Sequence, residues 1–355
     1  MNQYPPRFFL SSLTPLGFVS RLPLLTDPMQ FSEVWLIKGG TRAKRSALIA
    51  RIADAAEENG RRVSRVLDPL IPSLLEAALW DGVSVVDSAG PRPIEPQYPG
   101  VVERVVWIGD CWEEETLAAM RDELIAVPQR RDRLLEQARR YFAACAALRE
   151  DRFRMAGEAI DFDKIERQAD RIAAQQLARR RIQPEETVCL LSTGDGACGP
   201  VADAMASLEQ VVLLEDETGP SAAHLLAALR RRGIRQSQRM LCGYSPLAPY
   251  ERLEQLIFPD LSLGFFTVNE RLPAAENPGR VINARRFTDR ALLSPCKSRM
   301  AFHRKAEKQM TLLGRQTLSA AREECARLEQ LYAEAFYPET FERICSRLIR
   351  EIVTC

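Results

Sequence analysis

Histidine is scarce in this 355-residue chain, which contains only His224 and His303. The nine cysteines include no C-x-x-C pair. Structural zinc sites combine closely spaced cysteine and histidine ligands, and disulfide-rich domains pair an even number of cysteines. The sequence therefore argues against a zinc centre and a disulfide framework, and it predicts reduced thiols in the cytoplasm.

An excess of charge of either sign is also missing. The 49 lysines and arginines nearly balance 48 carboxylates, so the formal net charge is +1. Such a chain has no global field to attract nucleic acid. Residues 179–181 and 230–232 are runs of three arginines, but both lie in stretches of helical character, where a solvated face is the usual explanation. No nucleic-acid partner is predicted.

Long apolar runs are absent as well. No stretch reaches the roughly 18 apolar residues that suggest a membrane-spanning helix. The first residues lack the basic region and apolar core of a signal peptide, so no membrane association is predicted. The chain is long enough for two domains of about 150 residues each, and 46% hydrophobic with 27% charged residues is typical of globular proteins.

Short apolar runs alternate with amphipathic ones in the first half of the chain. This pattern predicts strands at Val34–Ile37, Val63–Leu67, Val83–Val86 and Val101–Ile108, and helices at Ser46–Glu58 and Pro72–Trp80. From Glu113 to about Arg181 the pattern is mostly helical, with breaks near Pro128 and at 159–162. We therefore expect an α/β fold with mostly parallel sheets, covered on both faces, and helical extensions.

An internal repeat divides this pattern into two copies. Residues 211–226 align with residues 34–49 at an offset of 177. Shorter fragments recur in the same order at offsets of 176 to 179: Pro99-Gly100 with Pro278-Gly279, Asp110 with Asp289, Glu158-Ala159 with Glu334-Ala335, and Glu166-Arg167 with Glu342-Arg343. A constant spacing of this kind predicts a tandem duplication, with domains at 1–182 and 183–355.

The first copy contains a segment similar to a phosphate-binding loop. KGGTRAKRSA, residues 38–47, lies between a predicted strand and a predicted helix, like the motif G-x-x-x-x-G-K-[ST]. Lys44 replaces the second glycine and Arg45 replaces the lysine. The alternative explanation is an ordinary strand-to-helix turn with exposed basic residues.

If the loop binds ATP with Mg²⁺, its residues divide into three roles. Backbone geometry comes from the glycines, phosphate charge from the cations, and magnesium ligands from oxygen-bearing side chains at the ends of neighbouring strands. The candidates are, in that order, Gly39 and Gly40, then Lys44 and Arg45, then Ser46 and Asp87.

The equivalent loop of the second copy, residues 215–223, has lost the motif. Alanines occupy the lysine and hydroxyl positions at Ala222 and Ala223, and Thr267 takes the place of Asp87. Three consecutive carboxylates stand where phosphate oxygens would approach, and like charges repel strongly at close range. The second copy is predicted not to bind a nucleoside triphosphate.

Four segments together resemble a known family. They are KGGTRAKRSA at 38–47, VVDSAGPRPIEPQYPG at 85–100, IGDCWEEE at 108–115 and LEQLIFPDLSLGFF at 253–266. The chain resembles uncharacterised bacterial ATPase-like proteins with two tandem P-loop NTPase domains, in which the first loop reads close to KGGPGTGKST. The resemblance spans nearly the whole chain and implies two P-loop-like domains. Gly39, Gly40, Ser46 and Asp87 carry over; the glycine and lysine at 44 and 45 do not.

The sequence leaves several functions open. One hypothesis is a nucleotide-binding protein of ATPase descent with a single site in the first copy. Its rival is a catalytically inactive pseudo-ATPase that acts as a scaffold or regulatory protein on an unknown protein partner. A third is dinucleotide or methyl-donor binding at residues 194–199, where a G-x-G-x-x-G motif precedes Glu215 by about 20 residues. Cys111 and Cys242 have no histidine nearby in sequence, so we interpret them as buried structural residues.

Overall fold

The structure is a computed structural model that describes residues 4–180, 183–268 and 279–353. The strands of the first half are β1 Arg7–Phe8, β2 Ser11–Thr14, β3 Gly17–Ser20, β4 Glu33–Lys38, β5 Ser64–Leu67, β6 Leu75–Trp80, β7 Val83–Asp87 and β8 Glu103–Trp107. Its helices are α1 Arg42–Glu58, α2 Glu114–Ala119, α3 Arg121–Gly157 and α4 Phe162–Gln176.

The described residues of the second half form a similar series of elements, without a counterpart of the β2–β3 hairpin. Its strands are β9 Glu185–Cys189, β10 Gln210–Glu215, β11 Arg239–Ser245, β12 Ala248–Phe258, β13 Leu263–Val268 and β14 Arg280–Asn283. Its helices are α5 Gly199–Ala206, α6 Pro220–Arg235, α7 Arg290–Leu293, α8 Lys297–Ala333 and α9 Pro338–Val353. Arg181 and Pro278, which belong to fragments noted in the sequence, lie outside the described residues.

The two halves form sheets with the same strand order. The first sheet runs β1-β5-β6-β7-β4-β8 and the second runs β9-β11-β12-β13-β10-β14. In each sheet the pairings on both sides of the third strand are antiparallel and the other three are parallel. The α/β class is confirmed, and both sheets are mixed.

Strand register gives the equivalent positions of the two halves. Ile37 of β4 lies opposite Asp87, and Leu214 of β10 lies opposite Thr267. Ile37 and Leu214 are separated by the 177 residues of the sequence repeat. Thr267 therefore occupies the structural position of Asp87, as the alignment predicts.

The two sheets pack against each other and carry their main helices on the outer faces. Alternate residues of β4 point to opposite sides of the sheet. Leu36 lies in a core shared with Leu213 and Phe266 of the second sheet, whereas Ile37 packs beneath α1. Each sheet is thus covered by helices on its outer face and by the other sheet on its inner face.

The last helix of each half packs on the other half. Apolar residues of α4 recur at helical spacing, as Ile165, Ala169 and Ile172, and they join a core with α6. Phe341 and Leu348 of α9 join the core beneath α1. The strands of each sheet therefore come from one half of the chain, while α4 and α9 each pack on the other half.

A reciprocal backbone contact and two long helices complete the connection between the halves. The amide of Phe9 donates to the carbonyl of Leu190 at 2.8 Å, and the amide of Leu190 donates to the carbonyl of Phe9 at 2.9 Å. The helices α3 and α8 have 37 residues each and pack against one another. Shared topology, exchanged helices and reciprocal bonds together give the molecule an approximate twofold arrangement.

Two predictions of secondary structure are wrong. The expected helix over Pro72–Trp80 contains strand β6, all of whose residues are buried between two antiparallel neighbours. A fully buried strand has no polar face, so its periodicity does not separate it from a buried helix. Pro128 lies inside α3 rather than at a break, because a lost hydrogen bond is offset along a long packed helix. The break at 159–162 is confirmed between α3 and α4.

The cysteines of the described part of the chain are all free thiols. Burial raises the pKa of Cys242 to about 12 and, together with the nearby Asp110, raises the pKa of Cys111. Both thiols are therefore mostly protonated at neutral pH, as expected of structural rather than nucleophilic cysteines. No helix within the described ranges is sufficiently long and apolar to span a membrane.

Candidate functional site

The first loop, residues 38–47, joins β4 to α1 and contains two glycines with positive φ. Gly39 has φ of +80° and Gly40 has φ of +59°. A Cβ atom on Gly39 would lie 2.7 Å from the amide nitrogen of Gly109, and one on Gly40 would lie 2.4 Å from the ring of Trp112. Turn geometry and close packing thus require both glycines, without reference to a bound phosphate.

Arg45, at the position of the motif lysine, closes this loop from inside. Its Nε lies 2.7 Å from Oδ1 of Asp87, and both residues are 6% exposed. Its Nη1 donates to the carbonyls of Gly39 at 3.1 Å and Gly40 at 2.7 Å. Three of the five guanidinium donors are therefore used within the loop and on Asp87.

The other two predicted site residues make different contacts. The Lys44 ammonium lies 3.8 Å from the ring centroid of Phe336, and the Ser46 hydroxyl accepts a hydrogen bond from the amide of Leu75 at 2.8 Å. The structure thus brings Gly39, Gly40, Arg45 and Asp87 together and directs Lys44 and Ser46 elsewhere.

The predicted magnesium ligands do not fit a divalent cation. Asp87 Oδ1 accepts from Arg45 and from the amide of Ala89 at 3.0 Å, and the Ser46 hydroxyl is engaged by a backbone amide. Magnesium needs near-octahedral oxygen ligands and would here lie beside a guanidinium group. No group of three or more histidine, cysteine or carboxylate side chains suited to a metal occurs in ranges 4–180, 183–268 and 279–353.

The N-terminus of α1 already has an anion. Glu329 of α8 accepts a hydrogen bond from the amide of Ala43, in the first turn of α1, at 3.0 Å. Amides in the first turn of a helix have no intrahelical partner, and the helix dipole favours negative charge there. A carboxylate from a helix 286 residues away in the chain thus occupies a position where a phosphate would bind.

The second loop, residues 215–223, is closed by its own carboxylate. Asp216 is 5% exposed and accepts from the amides of Thr218 at 3.0 Å, Gly219 at 2.9 Å and Ala222 at 2.9 Å. Successive amides pointing into one concavity form a nest for an anion, and Asp216 fills it. Glu215 and Glu217 turn away, to Asn283 and Arg285.

Cavity one, with a volume of about 940 Å³, lies between the halves and beside the first loop. Its walls also include parts of β2–β3, residues 193–195, α3 and α8. Each of its five cations pairs with a carboxylate: Arg42 with Asp68, Arg45 with Asp87, Arg131 with Asp132, Arg139 with Glu136, and Arg322 with Asp195. The charges around this cavity are therefore balanced.

Cavity two, with a volume of about 410 Å³, lies at the equivalent place beside the second loop. Residues 131–139 of α3 line cavity one, and residues 307–315 of α8, offset by 176, line cavity two. Among the described residues of its lining, the cations are Arg149, Arg152, Arg252, Arg304, Lys308 and Arg315, and the carboxylates are Asp216, Glu217, Glu254 and Glu307. Sequence reasoning missed these helix residues, although extending the 176-residue offset along α3 and α8 would have paired them.

The glycine-rich segment 194–199 is not arranged as a dinucleotide site. Gly194 and Asp195 line cavity one, where Asp195 pairs with Arg322 at 2.7 Å. Glu215 ends β10, which is separated from β9 by three strands of the sheet. A ribose-binding acid has to lie near the glycine-rich turn. The structure does not bring Glu215 to that turn.

Comparisons of the chain with protein-family models, with curated proteins and with solved structures find no match. The resemblance to tandem P-loop proteins therefore depends on the four sequence segments quoted above.

Proposed function

We propose that this chain is a catalytically inactive ATPase-like protein that acts as a scaffold or regulatory protein. One observation carries the proposal: the anion position at the start of each loop helix is taken by a carboxylate of the chain itself. Glu329 holds it at α1 and Asp216 holds it at α6. In an ATPase-like fold that has lost catalysis and serves as a scaffold, we expect carboxylates of the chain to occupy the positions that would bind phosphate.

Phosphate binding in the manner of a P-loop, with Arg45 in the role of the motif lysine, would require two displacements. Glu329 would have to leave the Ala43 amide, and Arg45 would have to turn from Asp87. Breaking a buried ion pair by removing one partner costs about 3–5 kcal/mol, because a charge is left without its partner. Such a cost weakens binding by a factor of roughly 100 to 1,000 or more. Hydrolysis would in addition need a magnesium ion for which these ligands are unsuited.

We further propose that the two halves are P-loop-like domains and that the protein is located in the cytoplasm. The strand–loop–helix units β4–α1 and β10–α6 support two P-loop-like domains, since each places a loop at the carboxyl end of a strand that has a parallel neighbour on both sides. The described cysteines are free thiols, and this supports a location in the cytoplasm.

A second candidate is ATP binding without hydrolysis in cavity one. Its volume of about 940 Å³ falls in the range of small-molecule sites, and it borders residues 39–43. Arg45 also lines the cavity and keeps two guanidinium donors outside the bonds described above. In this candidate Gly39, Gly40 and Arg45 would hold the phosphates once Glu329 is displaced.

ATP binding with and without magnesium, measured by equilibrium dialysis up to millimolar ATP, separates the two candidates. The proteins are the wild type, Glu329→Gln, and the control Glu323→Gln on the same helix, at an exposed position outside the cavity lining. Glutamine keeps an acceptor for Ala43 but removes the charge. The inactive scaffold predicts no saturable binding and no phosphate release in any of them. Binding that is tighter in Glu329→Gln and unchanged in Glu323→Gln would instead support ATP in cavity one.

A further inference from the structure

Cavity one is apolar at two positions where cavity two is cationic. Arg149 and Arg152 of α3 line cavity two. Cys325 and Leu328 of α8, which correspond to them at the 176-residue offset of the repeat, line cavity one. Burial raises the pKa of the Cys325 thiol, so this side chain is uncharged at neutral pH. The same positions of the two long helices thus present apolar groups to one cavity and charged groups to the other.

Apolar side chains from four parts of the chain surround cavity one. Leu70, Phe142 and Leu318 line it and belong to one cluster of buried side chains. They come from the segment after β5, from α3 and from α8. Leu13 and Phe18 of the β2–β3 hairpin provide a further side of the lining. A molecule in cavity one would therefore contact apolar groups from both halves of the chain.

The charged groups of the described lining already have partners. Arg42 pairs with Asp68 and Arg45 pairs with Asp87, and both pairs are largely buried. Glu329 accepts a hydrogen bond from the first turn of α1. A charged ligand would compete with these contacts, and separating a buried ion pair leaves a charge without its partner. An uncharged ligand leaves every pair in place.

We propose that cavity one binds an uncharged, largely apolar small molecule between the two halves of the chain. The volume of about 940 Å³ lies in the range of small-molecule sites, whose linings are predominantly apolar. The affinity comes mainly from apolar surface that is removed from water on the ligand and on the cavity walls. Such a ligand is not part of the scaffold function proposed above, and it would exclude ATP from the same cavity.

Fluorescence titration of the full chain with phenylnaphthylamine, an uncharged apolar fluorophore, tests the site. Anilinonaphthalenesulfonate has the same ring system with an added sulfonate group, and it serves as the charged counterpart. We expect saturable binding of phenylnaphthylamine. The sulfonate should bind this cavity about tenfold more weakly or worse, because its charge would be buried without a free partner.

Two pairs of variants locate the fluorophore. Ala326→Trp adds a large side chain at an exposed lining position of α8, and Ala333→Trp makes the same change at an exposed position of α8 outside the lining. Leu135→Gln changes a half-buried lining residue of α3, and Leu134→Gln changes its half-buried neighbour outside the lining. We expect Ala326→Trp to weaken phenylnaphthylamine binding about tenfold and Leu135→Gln about fivefold, while both controls bind like the wild type.

Four results would overturn the proposal. The first is the absence of saturable phenylnaphthylamine binding, and the second is equal affinity in the wild type, Ala326→Trp and Leu135→Gln. The third is equal or tighter binding of the sulfonate that is also lost in Ala326→Trp, which would assign the cavity to an anion. The fourth is displacement of the bound fluorophore by ATP, which would assign the cavity to the nucleotide. Circular dichroism of each variant confirms that the compared proteins are folded.

Discussion

The two loops occupy equivalent places in the fold but are closed by different means. The first contains Arg42, Lys44 and Arg45 and is closed from inside by Arg45 and from outside by Glu329 of the other half. The second contains three consecutive carboxylates and is closed by one of them, Asp216. The contact of Glu329 with the first loop therefore connects the two halves, whereas the hydrogen bonds of Asp216 involve only residues of the second loop and the first turn of α6.

The charge of each loop also differs from the charge of the cavity beside it. Cavity one adjoins the basic loop, yet each of its cations has a carboxylate partner. Cavity two adjoins the acidic loop, yet the described residues of its walls include six cations and four carboxylates. Five of these six cations lie on the long helices α3 and α8. A loop sequence alone is therefore a poor guide to the charged residues that line a cavity built partly by distant elements.

The largest change in stability is expected when the buried ion pair between Arg45 and Asp87 of the first loop is removed. Asp87→Ala should lower the free energy of unfolding by about 3–5 kcal/mol, because Arg45 stays buried without its carboxylate. Thr267→Ala, at the equivalent position of the second half, should change it by less than about 1 kcal/mol, since no described hydrogen bond is lost. Urea unfolding monitored by circular dichroism measures both.

The double variant Arg45→Met/Asp87→Leu serves as the control for that experiment. Replacing both charges by apolar side chains of similar size is often neutral or stabilising, so this variant should recover most of the loss. If Asp87→Ala and Thr267→Ala have the same small effect, the ion pair does not hold the first loop closed and the contrast between the halves fails.

The next largest effect concerns the second loop. Asp216→Ala leaves the amides of Thr218, Gly219 and Ala222 without their acceptor, and we expect a loss of about 2–3 kcal/mol. Asp216→Asn retains a carbonyl oxygen and should lose about half as much. Denaturant unfolding gives the values, and an Asn variant as unstable as the Ala variant would show that the charge, rather than the hydrogen bonds, closes this loop.

Local features of both loops could be predicted from the sequence, while the contacts that close the first one could not. The strand before Gly39, the strand ending at Asp87 and the correspondence of Asp87 with Thr267 follow from apolar runs and a constant repeat offset. The contact of Glu329 with Ala43 spans 286 residues, and nothing in the local pattern around Glu329 distinguishes it from a solvated helix face.

The packing of α4 on the second half and of α9 on the first half could not be predicted from the sequence either. Each helix has one apolar face, and such a face shows that the helix is packed without showing which half it packs on. Strand β6 was missed for a different reason, since residues 75–80 are buried on both sides and show no alternation. Sequence patterns report which face of an element is buried, but not which partner buries it.

A smaller effect is expected from removing the remote closure of the first loop. Glu329→Ala should cost about 1 kcal/mol, since one charge-assisted hydrogen bond at the N-terminus of α1 is lost and Glu329 is only partly buried. Glu329→Gln should cost less, and Glu323→Ala should be neutral. Thermal unfolding of the three variants measures the difference. An equal change in Glu323→Ala would assign the effect to the helix surface rather than to the contact with Ala43.

The smallest change in stability is expected at Lys44, whose equivalent in the second loop is the buried Ser221. The Lys44 ammonium lies over the ring of Phe336, so Lys44→Met should cost about 0.5–1 kcal/mol while keeping the aliphatic packing. Because this contact faces away from cavity one, the same variant should leave any affinity for ATP or phosphate unchanged. Denaturant unfolding tests the first statement, and equilibrium dialysis with ATP, as described above, tests the second. A variant with normal stability but altered phosphate binding would show that Lys44 acts in the first loop as a ligand, and that its position over Phe336 is only one of the places it occupies.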